Sequence, residues 1–241
     1  MIKSKHRGRN KMLRLLRNKK TAKKIWIGLA IMVLPAFVFW GFGSASRGKN
    51  ESGYIGKISG KKISDLEFKD SLSAVRNMAI MQYGEKLPEI EKYLDLEAQT
   101  WQRLALLYEA KKYKIKASDQ EVVELIESYP FFKHNGAFDN RIYNDLLKYA
   151  FRTQARIFEE QTRQNIIISK LYHKITEGVT IDDHEIREGY IKIKSANDPK
   201  FKIDEKKFSS ERKEFELRIL EEKKQAYFSK FVEGLIKKNK K

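Results

Sequence analysis

The feature that most constrains this chain is the join at Lys24–Ile25. The 24 residues before it carry eleven Lys/Arg and no Asp or Glu, and Ile25 to Ser46 carries no charged side chain. About 20 apolar residues cross a bilayer core, so this 22-residue stretch is long enough to span one. Trp26 and Trp40 sit near its two ends, where amphipathic aromatics favour the headgroup region. Pro35 lies in the middle, a position that transmembrane helices tolerate better than soluble ones. Lys/Arg-rich flanks stay in the cytoplasm, so the body is expected on the far side of the membrane. The alternative is a cleaved signal peptide, with Gly43-Ser44-Ala45 as the small-residue cleavage site. Both readings export the body. A buried soluble helix would show a polar face, which this run lacks.

Most of the net charge therefore carries topology. The chain is +18 overall, but beyond the tail 39 Lys/Arg stand against 32 Asp/Glu. Nucleic-acid binding would need a basic stripe with interleaved aromatics; no nucleic-acid partner is expected, because the excess lies in the tail. The absence of cysteine excludes disulfides, thiolate metal sites and a Cys nucleophile.

The body reads as mainly helical. Arg47–Gly53 is a polar linker. Tyr54–Ile58 and Lys62-Ile63 around Ser59-Gly60-Lys61 predict a short hairpin. Ser64 with Glu67 forms a capping-box pattern that opens a helix to about Tyr83, with Phe68, Leu72, Val75 and Ala79 on one face. A second helix is expected from about Glu89 to Tyr113. Ser118 and Glu121 open a third, ended before Pro130. Further helices are expected from Asp139 to Tyr149, Thr153 to Ile175 and Thr180 to Ile193. Ser195–Ile203 reads as a connection. Glu205 to Lys238 reads as a long charged helix with one stripe of Phe215, Ile219, Phe228, Phe231 and Leu235, which must pack on other helices or another chain.

Ile55-Gly56-Lys57-Ile58, Gly60-Lys61-Lys62-Ile63-Ser64, Pro130-Phe131-Phe132 and Gly136-Ala137-Phe138-Asp139 follow one another in a distinctive order. Through them Tyr54 to Ile193 resembles the N-terminal chaperone region of the SurA/PpiD-type periplasmic chaperone family. The resemblance continues through Tyr143, Leu147, Thr153, Phe158-Glu159, Arg163, Lys170-Leu171, Ile186 and Tyr190. The basic, apolar N-terminus is similar to the membrane-anchored PpiD-like branch. The resemblance implies a basic cytoplasmic tail (1–24), a transmembrane anchor (25–46), a linker (47–53), a SurA N-terminal-like multi-helix chaperone domain (54–194), a connection (195–203) where relatives carry a parvulin isomerase domain, and a long C-terminal helix (204–241) that packs on the chaperone domain. Parvulin's glycine-rich segments and active-site histidines have no counterpart here, so no family catalytic residue carries over and prolyl isomerisation is not expected.

Other enzyme patterns are lacking. His173 and His184 with Asp182, Asp183 and Glu185 have no metal-ligand spacing, and the two aspartates suit a helix start. No cofactor or metal is expected. The resemblance implies a chaperone that binds many unfolded sequences, which adaptable contacts serve best. Met78, Ile80, Met81, Tyr83, Tyr129, Phe131 and Phe132 are the candidate client-binding residues; the competing reading is that they fill the core. With the uncharged run as anchor, the resemblance implies a single-pass, inner-membrane, ATP-independent holdase. Its partners would be unfolded or nascent exported polypeptides, the lipid bilayer and the Sec translocon. The alternatives are an assembly protein that uses its terminal helix, and an isomerase-family protein with residual activity.

Overall fold

The computed structural model describes residues 53–198 and 201–239. The tail, the apolar run and Trp26 and Trp40 lie outside the described residues. Among the described residues, no helix is long and apolar enough to cross a membrane. The described chain is mainly helical, with two short hairpins. It divides into two compact units, with the boundary after Ser169.

The first unit opens with β1 (Tyr54–Ile58) antiparallel to β2 (Lys61–Ser64). Ser59 and Gly60 turn between them with φ of 49° and 79°, the left-handed pair that suits a right-twisted hairpin. Ile58 and Ile63 enter a small core with Leu104 and Ala105, edged by Phe68, Trp101 and Tyr108. Gly56 is required there: a Cβ would lie 2.5 Å from the Trp101 ring.

Helix α1 (Asp65–Tyr83) starts where the hairpin ends. The Ser64 hydroxyl accepts from the Glu67 N–H at 3.1 Å, but only this half of the expected capping box forms. The Glu67 carboxylate is drawn instead to the Tyr108 hydroxyl, which donates to it at 3.0 Å. Short turns occupy Gly84 to Tyr93, and α2 (Leu96–Lys112) begins seven residues later than expected from Glu89. The reason is local: Leu94 is extended, and the Asp95 carboxylate caps the Ala98 N–H at 2.9 Å.

α3 (Asp119–Ser128) has the full Ser118–Glu121 capping box and ends before Pro130, as expected. Pro130–Phe132 make one 3-10 turn, and β3 (Lys133–His134) pairs with β4 (Ala137–Phe138). The Asp139 side chain caps α4 (Asn140–Leu146), which widens into a π turn over Leu147–Phe151. α5 (Ala155–Thr176) follows, and the Gln154 carbonyl, rather than Thr153, receives its first N–H groups.

α5 ties the first unit together. Arg163 donates to the Ala117 carbonyl at 2.9 Å and to Asp119 at 2.6 Å, which holds the start of α3. Arg103 is buried and, among the described residues, has no acidic partner within ion-pair distance. It donates to Asn165 Oδ1 at 2.6 Å, Gln164 Oε1 at 3.0 Å and the Gln161 carbonyl at 3.2 Å. Asn77 donates to Gln161 Oε1 at 2.8 Å, so α1, α2 and α5 share one buried polar seam. Burial lowers the Arg103 guanidinium to about 10, with nearby Glu160 opposing the shift.

The second unit contains the end of α5, α6 (Asp183–Asn197) and α7 (Glu205–Asn239). α6 starts at Asp183 rather than after Thr180, because Asp182 and Glu185 form the stronger capping box. It also runs three residues into the expected connection from Ser195, as far as Asn197. α7 packs along α6. A Cβ on Gly189 would stand 2.5 Å from Ile219 Cδ1, so glycine sets the closeness of the two helices. Phe215, Phe228 and Val232 are buried, and Tyr190 is ringed by Phe201, Phe208 and Phe215.

Candidate client-binding site

α3, the turn after it and the π turn bring aromatic rings together in the first unit. Phe132 is fully buried, with ring centroids of Tyr143 at 5.0 Å, Phe158 at 5.7 Å, and Phe138 and Phe151 at 6.4 Å. These rings meet mostly edge to face, the arrangement their quadrupoles favour. Val122, Ile126, Leu147 and Ile166 complete the core. Phe132 is held there by its backbone too: its N–H donates to the Tyr129 carbonyl at 3.2 Å, and its carbonyl accepts from the Asp139 N–H at 2.8 Å.

Around this core lies a half-buried rim. Tyr129 stacks on Phe131 at 5.1 Å with 13° between the planes, and Phe131 meets Phe132 edge-on at 4.5 Å. Ile80 and Met81, from the last turn of α1, pack against the same cluster. The structure thus gathers Ile80, Met81, Tyr129, Phe131 and Phe132 from distant parts of the sequence. Phe132 lies beneath the surface and supports the others. Met78 turns toward the polar seam, with its sulfur 3.9 Å from an Arg103 amino group. Tyr83 is half-buried at the end of α1.

Leu125, Phe138 and Leu146 also border the cluster and were not among the client-binding candidates read from sequence. Val122, Leu125, Ile126 and Tyr129 fall at helical spacing, so Leu125 was recoverable. The remaining two needed the fold. Burial pushes the Tyr129 hydroxyl up to about 12; the same cause, with Glu159 nearby, raises Tyr143 to about 12. Both phenols stay neutral at ordinary pH, so neither adds charge to the site. Among the described residues, no three His, Cys, Asp or Glu side chains gather to hold a metal ion. His134 stands near the half-buried Asp139 at 3.8 Å, and exposed His184 near exposed Glu188 at 3.6 Å.

Residues 12–172 match the family model described as the SurA-like N-terminal domain. Two curated relatives, both named periplasmic chaperone PpiD, come from Escherichia coli strain K12 and from strain O6:H1. Each is 31% identical over 124 residues, covering 48% of this chain. The matched stretch spans 20% of the length of each relative. No solved structure matches the chain. The chain belongs to the family of SurA-like N-terminal domains, a chaperone-type domain.

Proposed function

We propose that this protein is a membrane-tethered, ATP-independent holdase that binds unfolded, newly exported polypeptides in the periplasm beside the secretion channel, without prolyl isomerase activity. The observation that supports this reading is the rim of Ile80, Met81, Tyr129 and Phe131 on the rigid Phe132 core. A fixed base keeps the ordering cost low, while methionine and tyrosine adapt to varied side chains. Such contacts are individually weak. The uncharged run 25–46 would compensate as an anchor, by holding the site at high effective concentration where chains emerge.

Suppression of client aggregation by the purified protein without ATP tests the reading. Full protection is expected, with a marked loss in Met81→Glu/Phe131→Glu. No suppression at several-fold molar excess overturns it. A proline-limited refolding assay should show no acceleration. The alternative of an assembly protein draws on Leu217 and Tyr227 of α7, which are 63% and 52% exposed. A mass that rises with concentration in light scattering, without client binding, would favour it.

A further inference from the structure

The hairpin β1–β2 has a covered face and a free one. Ile58 and Ile63 point into the core, and the opposite face carries Lys57 and Lys62. These lysines are directly opposed across the strands. Like charges in that position destabilise a sheet. No acidic side chain relieves them: Tyr54 to Ser64 contains none. The next two acids are engaged elsewhere, Asp65 with Lys69 at 2.6 Å and Glu67 with Tyr108. Among the described residues, neither Lys57 nor Lys62 has an acidic partner. The Lys62 ammonium instead stands 4.7 Å from the centre of the Tyr54 ring. The hairpin also exposes apolar groups, Tyr54 and Ile55 at 39% each, and Leu66, two residues past its end, is 69% exposed.

Lysines interleaved with an aromatic and aliphatic side chains suit a membrane–water interface, where ammonium groups meet headgroup phosphates and rings sit at headgroup depth. The position in the chain fits as well. Between the uncharged run, which ends at Ser46, and Tyr54 lie only Arg47 to Gly53. Seven residues reach at most roughly 25 Å when fully extended. A hairpin on so short a tether samples the lipid surface continually, and electrostatic attraction acts within about one Debye length, ~8 Å at physiological ionic strength.

We infer that the free face of the hairpin, Tyr54, Ile55, Lys57 and Lys62, docks on the anionic lipid surface at the foot of the protein. The headgroup phosphates neutralise the opposed lysines, and the docked hairpin fixes the orientation of the first unit above the bilayer. The inference rests on the anchor proposed above.

The test uses the full chain, reconstituted in bilayers of phosphatidylcholine alone or mixed with phosphatidylglycerol. The chain has no cysteine, so Ser59→Cys in the hairpin turn and Ala137→Cys in β4 each take one environment-sensitive fluorophore. The expected result is a blue shift, with quenching by headgroup-labelled lipid, at position 59 only and in the anionic bilayer only. Lys57→Gln/Lys62→Gln should lower the docked-to-undocked ratio roughly thirty-fold, from the typical attraction of one lysine to an anionic surface. High salt should abolish the signal in the unsubstituted background, a readout that needs no folded variant. Equal signals at 59 and 137, equal signals in the two bilayers, or insensitivity to salt each overturn the inference; silence on anionic lipid would point to an acidic protein partner instead. Flotation in high salt reports the anchor separately. Flotation with a silent position 59 removes the docking and leaves the anchor. Lipid contact at low salt without flotation removes the anchor and leaves the docking. Absence of both removes both.

Discussion

The two units stabilise themselves by different means. The first concentrates aromatic rings around Phe132 and threads a buried polar seam from Asn77 through Gln161 and Arg103 to Asn165. The second lays α7 along α6 with charged straps: the exposed Arg187–Glu205, Arg212–Asp183 and Lys223–Glu185, and the half-buried Lys194–Glu211. A buried seam demands that every partner be in place, whereas exposed pairs are individually worth little. The first unit is therefore expected to tolerate change poorly beneath its rim, and the second to tolerate it well except where α6 and α7 touch. A binding rim is useful only on a base that does not yield, which is why the candidate site falls in the first unit.

The contrast is broken most sharply at Phe132. Truncating a fully buried ring costs about 3–5 kcal/mol. Phe132→Ala should therefore lower the urea midpoint steeply and abolish client protection; a loss below that of an exposed residue would show that the core does not carry the unit. Gly189→Ala probes a tight spot in the second unit. Its new Cβ meets Ile219, and overpacking of this kind costs about 1–3 kcal/mol, read as a fall in thermal midpoint without loss of protection by the rim.

Tyr143→Phe should act in the opposite direction. The hydroxyl is buried with no hydrogen-bond partner among the described residues, and removing such a group gains about 1 kcal/mol. It also changes the alkaline limb. A phenol held at about 12 in the fold, against 10.0 when unfolded, keeps its proton longer in the native state. Below the unfolded value this group gives no pH dependence; above it the unfolded state releases the proton first, so stability falls as pH rises toward the folded value. Urea midpoints should thus fall less between pH 10 and 12 in the variant than in the parent. Arg212→Ala should have the smallest effect, within about 0.5 kcal/mol, because it severs one exposed pair; a larger loss in a double-mutant cycle with Asp183 would show that the straps act as a network.

Much of the fold was legible in local chemistry. The first hairpin, α1, α3 and α7 follow from turn residues, caps and apolar spacing, all short-range signals. The misplacements share one cause. Glu89 to Tyr93 has helical residue types, yet extended Leu94 and the Asp95 cap restart the helix. Thr180 gave way to Asp182 because a carboxylate with Glu185 three residues on makes the complete box. Of the candidate site, the residue types were legible and the depth was not. Phe131 and Phe132 are adjacent and chemically identical, but the 3-10 turn sends one into the core and leaves the other at its rim.

Sequence alone determined the directional charge pattern at Lys24–Ile25, the helical class and the family features, because these depend on residue type and spacing along the chain. Only the tertiary structure decided that Ile80 and Met81 meet Tyr129 and Phe131, that Arg103 lies buried among amides, and that Lys57 faces Lys62 with nothing acidic between them. Such relations join residues distant in sequence or separated by a turn. They arise from which surfaces pack together, a balance of burial and polar satisfaction that no short window of sequence contains.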